Sequence, residues 1–145
     1  MAGTLTLRVI TPDRIPLDRS VASVRLPGLD GSIGVLPRHA PMIAALDAGL
    51  LRYRTEPGGP EQVLFVSGGF AEVRGDTLRV VSEAGEKPEE IDEERAREAE
   101  KRARERLSVK RAPTGEGGEP IDWLRAEAAL RRSLMRLRAR EYRSS

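Results

Sequence analysis

Two sets of residues in this sequence are of types that could do chemistry: a lone histidine, and a group of arginines in the C-terminal third. His39 lies between Pro37 and Pro41, and a histidine can act as a general base. The chain has no cysteine for it to activate, and no serine and acid stand at a spacing that indicates a catalytic triad. The pattern favours a packed histidine, and we predict no catalytic residue.

The arginines indicate anion binding. Asp92, Arg95 and Arg102 are spaced so that they share one side of a helix, and Arg132 and Arg136 share a side in the same way. If the two helices pair antiparallel, the two arginine pairs converge, and guanidinium groups brought together need an anion such as phosphate between them. The alternative is that these arginines are solvated charges that pair with neighbouring glutamates.

The elements that must position these residues fall into two halves. Residues 4–82 read as short runs of alternating apolar and polar residues, such as TLTLRVI and QVLFV, cut by turn sequences such as EPGGP and RGD. This pattern is typical of an antiparallel β sandwich or barrel. The first half is therefore expected to bury most of the core.

After residue 86 the apolar period changes to that of a helix. A break, APTGEGGEP at residues 112–120, separates two amphipathic segments and predicts an antiparallel helical hairpin. The apolar stripes are thin: Ile91, Ala96, Ala99, Ala103 and Leu107 in the first segment, and Trp123, Ala126, Leu130, Leu134 and Leu137 in the second. We therefore expect an α+β chain in two parts, a β-sandwich domain at 1–86 and a movable hairpin at 87–145 that packs on the sandwich or on a partner.

Several other kinds of site lack support in the sequence. One histidine and no cysteine do not supply the ligands of a zinc site, and neither GxxxxGK[ST] nor GxGxxG is present. The longest mostly apolar stretch, residues 40–51, is too short to span a bilayer, so no direct membrane insertion is expected.

Two alternative functions come from other classes. A basic hairpin that binds nucleic acid is the first, but aromatic residues, on which bases stack, are only 3% of the chain, and the net charge is only +2. We therefore expect no nucleic-acid partner. An enzyme built on the sandwich is the second, and no set of residues supports it.

Two separated motifs resemble the epsilon subunit of bacterial F-type ATP synthase. Residues 34–41, GVLPRHAP, match the family pattern G-x-L/I-P-x-H-x-P, and residues 67–73, SGGFAEV, match S-G-G-F/I-x-E-V. The C-terminal half is similar to the family's helical hairpin. The resemblance implies a sandwich of about ten strands and a non-catalytic subunit that needs no cofactor or metal.

The resemblance also implies a set of partners. The sandwich is expected to dock on the gamma subunit and on the c-ring of the membrane sector, through Ser32, His39, Pro41 and Met42. The hairpin is expected to extend into the alpha/beta catalytic hexamer and to regulate ATP hydrolysis there. The subunit would lie peripherally on the cytoplasmic side of the bacterial plasma membrane.

A regulatory ATP, bound but not hydrolysed, is a further implication of the resemblance. Some bacterial epsilon subunits bind ATP through an I/L-D-x-x-R-A motif, which this chain matches at the start of its first predicted helix. The residues that match the family's ATP contacts are Glu86, Ile91, Asp92, Arg95, Ala96, Arg102, Arg132 and Arg136.

Overall fold

The computed structural model describes residues 3–108 and 123–142. The strands are β1 (Leu5–Ile10), β2 (Leu17–Val21), β3 (Ser23–Gly28), β4 (Gly31–Val35), β5 (Met42–Arg54), β6 (Gln62–Arg74), β7 (Thr77–Val81) and β8 (Gly85–Glu86). A 3₁₀ turn (Pro88–Glu90) leads to the helices α1 (Glu93–Ser108) and α2 (Trp123–Glu141).

The strands form a single path in the order β2-β1-β7-β6-β5-β3-β4, with β8 paired to β6. The pairing of β1 with β7 is parallel, and the other pairs are antiparallel. One core cluster takes buried side chains from all seven strands of the path, for example Leu7, Leu26, Leu51 and Leu78. The sheet therefore folds over on itself to enclose the core, which confirms the predicted sandwich.

The described residues form eight strands, approximately the ten that the resemblance implies, and two of these strands, β5 and β6, are each 13 residues long. In β5 the inward-facing residues change phase at Asp47: Leu46 before it and Leu51 after it both face the same core. A matching change occurs in β6 around Gly68, which has φ 106°. One long strand with a phase change has the sequence pattern of two short strands.

The glycines of the SGGF segment are required by close packing of the backbone. Gly69 has φ 102°, and a Cβ atom there would collide with the carbonyl oxygen of Val81. Only glycine adopts this conformation and allows this approach.

The helical hairpin packs on the outside of the sandwich through α2, while α1 packs on α2. Small side chains let the helices approach closely: Ala96 and Ala103 of α1 and Ala126 and Ser133 of α2 are buried. Among the described residues, neither helix is long and apolar enough to cross a membrane. The predicted break at 112–120 lies outside the described residues, and the domain boundary at residue 86 stays a prediction.

Candidate functional site

Arg136 of α2 joins the helical hairpin to the sandwich. Its Nε donates to Glu86 Oε2 at 3.0 Å and its Nη2 donates to the same oxygen at 2.9 Å. Its Cζ also lies 4.6 Å from the centroid of the Phe65 ring. The side chains of Arg136 and Glu86 are 30% and 24% exposed, so this ion pair is screened by water less than a surface pair.

A small apolar cluster lies beneath this ion pair and is separate from the main core. Its buried members are Leu50 of β5, Phe65 of β6, Ile91 before α1, and Ala139 of α2. Ile91 and Ala139 belong to the C-terminal half, and Leu50 and Phe65 belong to the sandwich. Ile91 belongs to the predicted apolar stripe, whereas Ala139 does not. In this structure the sandwich covers these residues, which is one of the two alternatives that the sequence leaves open.

The I-D-x-x-R-A pattern has a structural role at the start of α1. Asp92 is the N-cap: its Oδ1 accepts a hydrogen bond from the Arg95 N–H at 3.1 Å, and its carbonyl accepts one from the Ala96 N–H at 3.0 Å. Ile91 and Ala96 are buried, whereas the side chains of Asp92 and Arg95 are exposed. Helix capping accounts for the aspartate of the pattern, and burial accounts for the isoleucine and the alanine, whereas neither accounts for the arginine side chain.

The predicted anion site is only partly assembled. Glu86, Ile91 and Arg136 meet around Phe65. Arg102 is exposed on α1, and Arg132 is half-buried one turn before Arg136. The convergence of all the arginines on one anion stays a prediction.

Arg14 anchors the segment that links the sandwich to α1. Its Nη1 donates to Glu90 Oε2 at 2.7 Å and its Nη2 donates to the Gly85 carbonyl at 2.7 Å. Burial alone would raise the pKa of Glu90, but hydrogen bonds from the Lys87 N–H and from Arg14 outweigh it, so the pKa lies below the usual range. The ionised carboxylate therefore helps to fix where the hairpin begins.

A second arginine of α2 binds the sandwich, and the sequence analysis missed it. Arg131 Nε donates to the Ala48 carbonyl at 3.1 Å and lies 3.2 Å from Asp47 Oδ2. Phe65 was also missed as the ring beneath Arg136. Both contacts join residues far apart in the chain, so no local pattern indicates them.

The residues expected to contact gamma and the c-ring lie on β4 and on the segment that follows it. Ser32 is exposed on β4, and its Oγ accepts a hydrogen bond from Arg25 Nη1 at 3.3 Å. His39 is half-buried, and its Nδ1 donates to the Ala40 carbonyl at 2.7 Å, because a carbonyl oxygen can only accept. Pro41 is exposed, while Met42 packs partly against the main core.

An exposed apolar patch adjoins this segment. Ile43 and Ala45 point outward from β5, and Ala45 lies opposite Phe70 of β6. The exposed fractions are 74% for Ile43 and 43% for Phe70. We call Ile43, Ala45 and Phe70 the outer patch. Large apolar side chains grouped in this way on a surface are typical of an interaction site.

The fold and the site define a class of protein: a β sandwich with a two-helix hairpin held on its outer face by ion pairs and a small apolar cluster. Family models for the ATP synthase delta/epsilon chain match nearly all of it. The β-sandwich domain matches residues 4–88, and the long α-helix domain matches residues 89–141.

Individual relatives agree with this assignment. The chain is 42% identical to the ATP synthase epsilon chain of Nitratidesulfovibrio vulgaris over 140 residues, which cover 97% of this chain and 98% of that one. It is 45% identical to the epsilon chain of Moorella thermoacetica over 137 residues, covering 94% and 96%.

Solved structures show the same fold. A chain in the Euglena gracilis mitochondrial ATP synthase, OSCP/F1/c-ring in rotational state 1, superposes with a TM-score of 0.73 at 26% identity, covering 90% of this chain and 78% of that one. The chain belongs to the ATP synthase delta/epsilon chain family. Like its epsilon-chain relatives, it is a non-catalytic subunit of ATP synthase.

Proposed function

We propose that this chain is a central-stalk subunit of a proton-translocating F-type ATP synthase, that it couples the gamma subunit to the c-ring, and that its helical hairpin regulates ATP hydrolysis. The observation that carries the coupling role is the outer patch, which lies beside the segment that resembles the family's contact region. The Euglena relative comes from an assembly that contains F1 and the c-ring.

Gamma is the partner proposed for the outer patch. The patch continues the predicted contact residues His39, Pro41 and Met42 along the chain, so one docked surface can cover both. Arg38 has φ 65°, a conformation that is uncommon for a residue with a side chain, and the prolines at 37 and 41 restrict the backbone on either side. A loop held in one conformation loses little entropy when it docks.

The c-ring is the partner proposed for Ser32. It lies on β4, which ends the strand path, so its outer backbone edge has no neighbouring strand within that path. Exposed serine and backbone groups at such an edge suit polar loops of a ring. The proposal includes a peripheral position of the subunit on the cytoplasmic side of a bacterial plasma membrane.

The alpha/beta hexamer is the partner proposed for the helical hairpin after it leaves the sandwich. Within its described residues, the hairpin contributes only Ile91 and Ala139 to the buried part of the cluster beneath it. A small shared cluster with ion pairs at its edge can open at far lower cost than the sandwich core. The exposed arginines of α2 then provide a basic surface for an acidic partner.

ATP is the ligand proposed for the arginines of the hairpin. In the structure, Glu86 neutralises Arg136, so a bound triphosphate must compete with this carboxylate for the guanidinium. Arg132 stands one turn away on the same helix and supplies the next positive charge. ATP that contacts both helices would favour the docked hairpin over the extended one.

The proposed coupling role is tested by binding to isolated gamma subunit. Ile43→Ser removes the most exposed apolar residue of the outer patch, and Ile15→Ser makes the same change at another exposed isoleucine, 55% exposed, outside the patch. We expect Ile43→Ser to weaken gamma binding at least tenfold, by about 1.4 kcal/mol or more, and Ile15→Ser to leave it unchanged. Equal affinities for both variants and the wild type would refute docking through the outer patch.

A truncation after residue 86 tests the regulatory role separately. The shortened chain should still bind gamma, and the assembled complex should hydrolyse ATP faster than with the full chain. Unchanged hydrolysis would show that the helical hairpin does not inhibit this enzyme.

A further inference from the structure

The C-terminal end of α2 is fixed to the sandwich by a cluster outside the predicted sites. Tyr142 follows α2, and its hydroxyl donates to Glu61 Oε1 at 2.8 Å. Arg52 Nη1 donates to the same oxygen at 3.1 Å, and the Arg52 guanidinium carbon lies 5.7 Å from the centroid of the Tyr142 ring. We call Arg52, Glu61 and Tyr142 the C-terminal clasp.

The clasp has the features of a strong contact. The Glu61 side chain is 22% exposed, so the carboxylate is largely shielded from water. Burial alone would raise the pKa of Glu61, but the hydrogen bonds from Tyr142 and Arg52 and the charges of Arg52 and Arg54 outweigh it, and the pKa lies below the usual range. A hydroxyl that donates to an ionised, shielded carboxylate forms a stronger hydrogen bond than one between neutral groups.

The sandwich side of the clasp is assembled without the helix. Arg52 lies on β5 opposite Val63 of β6, and Glu61 directly precedes β6. Arg54 Nη2 lies 3.7 Å from Glu61 Oε2, which adds a second guanidinium to the same carboxylate. Tyr142 is the contribution of the hairpin. When α2 leaves the sandwich, these sandwich groups can remain paired with each other.

The clasp is distinct from the proposed nucleotide contacts. Tyr142 lies six residues beyond Arg136, a rise of about 9 Å along a helix. Glu61 and Arg52 are not among the residues that match the family's ATP contacts. A ligand at the arginines would therefore leave the clasp in place.

We propose that the C-terminal clasp holds the helical hairpin on the sandwich in the absence of nucleotide, and that the Tyr142 hydroxyl controls how readily the hairpin leaves. This inference rests on the movable hairpin of the proposed function. It adds the clasp to the contacts that Arg131 and Arg136 make with the sandwich, and it makes the clasp a contact that an anion bound at the arginines does not displace.

Distance measurement between two spin labels on the full, nucleotide-free chain tests the proposal. The chain has no cysteine, so Asp76→Cys in the sandwich and Arg138→Cys on α2, both exposed, provide unique attachment sites. Tyr142→Phe and Glu61→Gln should each raise the undocked population about tenfold, the effect of losing one hydrogen bond to a charged group. Glu56→Gln, the same change at an exposed carboxylate of the preceding loop, should leave the population unchanged.

The double variant and a third substitution separate the outcomes. If Tyr142 and Glu61 act through one contact, the double variant undocks no more than either single variant. Additive effects, or unchanged distances in both single variants, would overturn the clasp. Arg136→Met in the same experiment separates failure of the clasp from failure of the movable hairpin. If Arg136→Met undocks the hairpin and the clasp variants do not, only the clasp is refuted. If no variant undocks the hairpin, the movable hairpin is refuted as well.

Discussion

The ion pair between Arg136 and Glu86 gives the most direct quantitative prediction. Arg136→Met keeps an apolar side chain over Phe65, and Glu86→Gln removes the charge of the partner. Exposed ion pairs typically contribute about 0.2–1 kcal/mol, and this pair should contribute more because it is partly shielded from water. With side chains 30% and 24% exposed, either partner can still be solvated when the other is replaced, so the cost stays below that of a fully buried pair. We therefore expect a coupling free energy of about 1–2 kcal/mol between the two substitutions.

The assay is native-state hydrogen exchange of the α2 amides, which reports the free energy of opening of the helix. The matched control is the pair of Arg97 and Glu93 on α1, whose side chains are 59% and 45% exposed and stand four residues apart. That pair should show a coupling of about 0.3–0.5 kcal/mol. Arg97 also lies 4.0 Å from Glu141 of α2, so the exchange of the α2 amides can report it. A coupling for Arg136 and Glu86 no larger than that of the control would refute the argument that this pair holds the hairpin.

Three further predictions follow from the same contacts. Calorimetric titration with ATP should show binding by the wild type that an Arg132→Ala, Arg136→Ala double variant loses, and no binding at millimolar ATP would refute the nucleotide site. Ala139→Leu should overpack the small cluster and destabilise docking of the hairpin by about 1–3 kcal/mol. Ala128→Leu, at an exposed position of α2, should leave docking unchanged. Equal free energies of opening of α2 for the two variants, measured by hydrogen exchange, would contradict this prediction. The pKa of Glu61 is lowered in the folded protein, so the ionised carboxylate contributes its full stabilisation above its ordinary pKa of 4.5, and this stabilisation is lost as the pH falls through the lowered pKa. In urea unfolding, the free energy of unfolding of Glu61→Gln should therefore fall less over that pH range than that of the wild type. The same pH profile for both proteins would contradict this prediction.

Local periodicity predicted the longer elements but not the contacts between them. The alternation of Leu5, Leu7 and Val9 identified β1, and all three are fully buried. Asp47 interrupts the alternation within β5, so this one long strand has the sequence pattern of two short ones. The sequence pattern also brought Arg136 into the candidate site, but nothing local indicated Phe65 beneath it.

The contacts under the hairpin differ in kind from those in the sandwich core. The sandwich core is enclosed by seven strands, whereas the cluster under the hairpin has four buried members, so polar contacts supply a larger share of the docking energy than of the folding energy. Arg131, Arg136 and Tyr142 place those contacts along the length of α2, and each binds a carboxylate of the sandwich half. An anion or another acidic surface can take the place of the sandwich carboxylates in contacts of this kind. Apolar packing does not allow such an exchange of partners. In the proposed function, the same arginines serve both the docked and the extended state, because carboxylates of the sandwich, carboxylates of the catalytic hexamer and phosphates of ATP can each pair with a guanidinium.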